Sequence, residues 1–127
     1  MQTLRSLVPM LCLGLLPILA SCGGSPVACP TIAAANFTVV VTDAATGQRI
    51  CDATVTAQDS ASSESASLSV NGGASDCSYS GGFYERPGTF TITATKTGYM
   101  SASKSGVAVT KGECNVVSAQ VALQLTH

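Results

Sequence analysis

From Asn36 onward the chain alternates apolar and polar side chains with a period of two, the pattern of strands that turn one face to a core. Phe37, Val39 and Val41 alternate with Thr38, Val40 and Thr42. Asp43-Ala44-Ala45-Thr46-Gly47-Gln48 follows as a turn, with Gly47 supplying a positive φ. A second strand sets Val55 and Ala57 between Thr54, Thr56 and Gln58. Residues 59–67 (DSASSESAS) carry few apolar side chains and predict a mobile loop, with Leu68 and Val70 on a short strand after it. Beyond a turn at Asn71-Gly72-Gly73, Tyr79, Phe83 and Tyr84 fall on another short strand, stopped by Pro87-Gly88. The clearest strand is TFTITATK, residues 89–96: Phe90, Ile92 and Ala94 point inward, and Thr89, Thr91, Thr93 and Thr95 make a wet face. Val107 and Val109 mark another strand, and in NVVSAQVALQL the inward positions are Val117, Ala119, Val121, Leu123 and Leu125. About seven strands and no helix predict an all-β domain, an antiparallel-rich sandwich over residues 36–127.

The amino-terminal part breaks this pattern. Arg5 precedes a run of apolar side chains from Leu7 to Ala20, shorter than the roughly 20 residues a transmembrane helix needs and interrupted by Pro9 and Pro17. A positive start, a short apolar stretch and a small-residue exit predict an export signal over residues 1–21. Its last residues, Leu19-Ala20-Ser21-Cys22, resemble the lipobox of bacterial lipoprotein precursors. The resemblance implies cleavage before Cys22, a diacylglyceryl thioether on Cys22 and acylation, palmitate included, of the new amino terminus. Residues 22–35 then form a lipidated tether, loosened by Gly23 and Gly24. The expected partner is a lipid bilayer of the cell envelope. No aspartate follows Cys22, which in enteric lipoproteins favours the outer membrane.

Charge and cysteine content narrow the classes further. After Cys22 there are five basic and seven acidic side chains and no basic patch, so nucleic acid is not an expected partner. With Cys12 in the signal and Cys22 lipidated, Cys29, Cys51, Cys77 and Cys114 remain, an even set that predicts two disulfides with three possible pairings. Metal is not expected: no CxxC pair exists, and His127 is the one histidine.

Two stretches resemble the carboxypeptidase regulatory-like domain family. VVVTDAATGQRICDATVTAQD is similar to its opening strand, Asp, Thr-Gly and second strand. GGFYERPGTFTITATKTGYM is similar to its Gly-aromatic turn and the strand that closes on Gly-Tyr. Together they imply a seven-stranded Ig-like, transthyretin-like β-sandwich whose first and last strands lie side by side and parallel. That arrangement brings Cys29 to Cys114 and leaves Cys51 for Cys77. The family's cysteines are not a shared feature, its motifs are structural, and no catalytic residue carries over.

Other matches carry little chemistry. SASK (101–104) and Lys96-Thr97-Gly98 match fragments of penicillin-binding enzymes, but in reversed order and on predicted strand or loop. A Ser-His-Asp triad would rest on His127 at a chain end. Asp43, Asp52 and Asp76 lie near turns, where calcium is the weaker alternative to solvation. Asn36-Phe37-Thr38 is a glycosylation sequon that a bacterial lipoprotein leaves unused. Tyr79 and Tyr84, with Phe83 and Tyr99, are the candidate ligand contacts if the surface binds a glycan. The expected function is non-enzymatic and free of cofactors: an envelope lipoprotein presenting a β-sandwich to an envelope protein or, alternatively, to carbohydrate.

Overall fold

The structure is a computed structural model that describes residues 26–127; the expected signal segment, Cys12, Cys22 and Gly23-Gly24 lie outside the described residues. The described chain forms eight strands and no helix: β1 (Ala35–Asp43), β2 (Thr54–Asp59), β3 (Ser65–Asn71), β4 (Ser78–Tyr84), β5 (Gly88–Thr95), β6 (Ala102–Lys111), β7 (Val116–Val117) and β8 (Ala119–Leu125). They join in the order β7-β6-β5-β2-β3-β4-β1-β8. β6 and β8 lie against each other across the remaining gap, so the sheet nearly closes into a barrel. The fold is therefore all-β. Eight strands stand where seven were expected, the addition being the two-residue β7. One pair is parallel: β1 runs beside β8, from Phe37 opposite Ala119 to Asp43 opposite Leu125.

Alternation explains the core. Phe37, Val39, Val41, Val55, Ala57, Phe90, Ile92, Ala94, Val121, Leu123 and Leu125 are all buried, each one strand step of two from the next on its own strand. Phe90 anchors the centre, with Phe37 edge-on at 4.9 Å and Phe83 tilted at 5.2 Å between ring centroids.

Two expectations change. Val117 is 57% exposed and Val116 is buried, because the ladder breaks at Ser118, whose hydroxyl donates to the Ala35 carbonyl at 2.9 Å. The period-two phase is thus reset between β7 and β8. The serine-rich segment is not a loop to residue 67, since β3 begins at Ser65 and pairs with β2. The remaining turn is held by Asp59: its carboxylate accepts from the Ala61 amide at 2.8 Å, and its carbonyl accepts from the Ser63 amide at 2.9 Å. In β4, Gly81 and Gly82 both have positive φ, 98° and 76°, where β4 bulges against β1. The φ of Gly82 favours glycine, and a Cβ there would stand 3.0 Å from Leu68 Cδ1 and press that side chain to shift.

The strand directions give the molecule two ends. At one, called here the tether pole, lie the start of β1, the turns at 60–64 and 85–87, and the 112–115 loop. At the other, the distal pole, lie the turns after β1 and β3 and the segment between β5 and β6.

Candidate functional site

The distal pole carries a polar depression, and it is built from three separate turns. Asp43 closes β1. One carboxylate oxygen accepts from the Ala45 and Thr46 amides at 2.8 and 3.0 Å, while Gly47, at φ 71°, donates its amide to the Asp43 carbonyl at 2.8 Å. The other oxygen accepts from the Tyr99 hydroxyl at 2.8 Å and has His127 Nε2 at 3.7 Å. The Tyr99 hydroxyl and the turn amides hold the Asp43 carboxyl below the usual carboxylate range. The same bond raises the Tyr99 phenol. Tyr99 stacks on His127 with centroids 4.2 Å apart, and the Met100 amide donates to the Thr126 carbonyl at 2.7 Å.

Beside this group, Lys96 Nζ meets Asp52 at 2.6 Å, which lowers the Asp52 carboxyl and raises the lysine. Arg49 donates to the Cys77 carbonyl at 2.7 Å, so its guanidinium spans from the first turn to the 72–76 turn. Asp43, Arg49, Asp52, Lys96 and Tyr99 border a depression of about 260 Å³, which continues into one of about 450 Å³ along Gly47, Gln48, Arg49, Ala74 and Ser75. Donors and acceptors of both signs face it, and they are engaged with one another. Such an arrangement has the chemistry to exchange these bonds for bonds to a polar group.

The predicted site residues distribute as follows. Cys29 is bonded to Cys114 and Cys51 to Cys77, with Cα–Cα distances of 5.1 and 5.8 Å. Tyr79 is 2% exposed: its hydroxyl donates to the Ile50 carbonyl and accepts from the Ala53 amide, both at 2.9 Å, and burial raises the phenol. It is therefore a core strut and not a surface contact. Tyr84 is 58% exposed, but at the tether pole, with its hydroxyl folded over Gly81. Phe83 is core and Tyr99 is distal, so the four aromatics form no common platform. Asp43, Asp52 and Asp76 do share the distal pole. Asp76 instead accepts from the Gly73 amide at 2.8 Å, and the described residues contain no group of three side chains placed to hold a metal. Lys104 lies on β6 and Lys96 precedes a turn, so SASK does not open a helix as the penicillin-binding motif requires.

Sequence reasoning passed over Arg49, and over the tether-pole network. There Asn36 is fully buried, donating to the Arg86 carbonyl at 2.6 Å and accepting from its amide at 3.1 Å, which removes the sequon from the surface. Glu85 accepts from the Ala34 amide, the Asn115 side chain and, at 3.1 Å, the Val116 amide; these bonds hold its carboxyl low, Asn115 most of all. Arg86 pairs with Glu64 at 2.6 Å and Asp59 at 3.2 Å and lies 4.9 Å over the Phe83 ring. The partners lie far apart along the chain, and no local pattern marks them.

The chain matches no protein-family model, and no curated protein shows significant similarity to it.

Proposed function

We propose that this is a lipid-anchored envelope protein, held through acylated Cys22, that presents a non-enzymatic β module whose distal pole touches or holds a partner. The observation that carries this reading is the Leu19-Ala20-Ser21-Cys22 sequence, placed directly before a small domain closed by two disulfides. Disulfides belong to oxidising compartments, which agrees with export. The order of parts supports it as well: the chain enters β1 at the tether pole, and the polar depression opens at the opposite one. The carboxypeptidase regulatory-like sandwich remains the proposed ancestry. Parallel pairing of β1 with β8, the Asp43-Thr46-Gly47 turn and the Gly98-Tyr99 closure support it.

The test is the mature amino terminus. Mass spectrometry of protein from native membranes should show a chain beginning at Cys22 with diacylglyceryl and acyl mass, and Cys22→Ser should move the protein to the soluble fraction. An unmodified Cys22 sinks the anchor. Turnover by the purified module in a broad hydrolase screen sinks the non-enzymatic half.

A further inference from the structure

The tether pole differs from the distal pole in what it shows to solvent. Val27 is 57% exposed, Ile32 80% and Val117 57%; with Tyr84 at 58% they put four of the six large apolar side chains exposed among the described residues at this pole, against Met100 and Val70 toward the distal one. Val27, Ile32 and Val117 gather around one loop. Cys29, two residues after Val27, is bonded to Cys114; the Ile32 carbonyl accepts from Asn115 at 3.1 Å; and Val117 follows two residues later. Of the charges nearby, Glu85 is engaged by three donors and Arg86 by two carboxylates, while Lys111 and Glu113 stay exposed at the flanks of the loop. Exposed apolar side chains grouped in this way mark an interaction surface.

We infer that this pole docks on the bilayer surface, with Val27, Ile32 and Val117 entering the boundary between headgroups and acyl chains. The inference rests on the lipid anchor proposed above. Covalent geometry selects the occupant. Cys29 is seven residues from Cys22, a span of at most about 25 Å even if fully extended. The disulfide to Cys114 transfers that limit to the loop carrying the apolar side chains. β1 is nine residues long, so the distal pole stands roughly 30 Å farther away. Lipid is therefore the apolar phase within reach of this pole, and docking would hold the polar depression facing away from the membrane.

The protein contains no tryptophan, so a single substituted indole reports alone. Ile32→Trp, Val117→Trp and, as the distal control, Ala74→Trp would be made in the lipidated protein and reconstituted into phosphatidylethanolamine–phosphatidylglycerol vesicles with and without brominated acyl chains. Vesicle flotation reads the anchor, and non-reducing gels read both disulfides. Docking predicts blue-shifted emission and about twofold quenching at positions 32 and 117, as for side chains about 5–10 Å into the interface, with neither change at 74. Ile32→Asp placed in the Val117→Trp protein should abolish the quenching without affecting flotation. Flotation without quenching at 32 and 117 overturns docking and leaves the anchor intact, as does a concentration-dependent dimer that covers these positions instead. If native protein lacks lipid, the function proposed above fails. Docking is then judged on Cys12→Ser chain coupled at Cys22 to a maleimide lipid, by the same quenching.

Discussion

The two poles of the sheet each carry one disulfide and one cluster of charged side chains, yet they are built for different ends. At the tether pole the bonds join segments remote in sequence: Glu85 to Ala34 and Asn115, Asn36 to Arg86, Cys29 to Cys114. Their polar atoms point inward, and apolar side chains are left outside. At the distal pole, long-range bonds such as Tyr99 to Asp43 and Lys96 to Asp52 are joined by bonds inside single turns, and polar groups of both signs line an open depression. A small β domain thus turns the polar atoms of one pole into its own closure and leaves those of the other along an open depression, where the proposed function places a partner.

The disulfides test this contrast most strongly. Loop-closure entropy assigns about 4.5 kcal/mol to a bridge across 85 residues and about 3.5 kcal/mol to one across 26. Urea unfolding of the Cys29→Ser/Cys114→Ser and Cys51→Ser/Cys77→Ser proteins should place the former lower, and the opposite order would break the comparison. The next effect is the loss of a single buried polar group. Asn36→Ala strands the Arg86 backbone and Tyr79→Phe strands the Ile50 and Ala53 groups, each costing about 1–3 kcal/mol in the same measurement.

Acid should weaken both poles. Asp43, Asp52, Asp59 and Glu85 all have carboxyls held below their ordinary values of 3.8 for aspartate and 4.5 for glutamate: Asp43 chiefly by Tyr99, Asp52 by Lys96, Asp59 by the Ala61 amide and Glu85 by Asn115. The unfolded chain therefore binds more protons through this range, so stability is complete above those values and falls as pH drops through the lower folded ones. Thermal unfolding from pH 6 to pH 2 should show Tm falling below about pH 4.5, and a Tm that rises there would contradict the assigned bonds. The smallest effect separates ion pairing from architecture. Lys96→Gln removes an exposed pair and should leave Tm unchanged within error, while returning the Asp52 carboxyl toward its ordinary value by NMR titration.

Much of this fold is legible from alternation. Phe37-Val39-Val41 and Phe90-Ile92-Ala94 point inward as the pattern predicts, because a strand beside a core has one dry face. Alternation misleads at Val116-Val117, where one serine resets the phase, and at Ser65–Ser67, where backbone pairing to β2 needs no apolar side chain. Strand order and near-closure depend on pairings between distant segments and leave no local trace. The candidate site was partly visible: the Asp43 turn and Tyr99 stand out in sequence. That the Tyr99 hydroxyl lands on Asp43, or that Arg49 reaches Cys77, follows only from how three turns meet. Tyr79 looked like a contact because phenols suit surfaces, but a buried phenol with two backbone partners serves equally well inside.

The parallel pairing of β1 with β8 also sets a timetable. During synthesis the oily stripe of Phe37, Val39 and Val41 emerges before the rest of this sheet, and its parallel neighbour is the last of the eight strands to leave the ribosome. Until then β1 has β4 alone to lean on, and a nascent chain stalled short of residue 119 would keep a sticky edge open to aggregation or to whatever holdase escorts it.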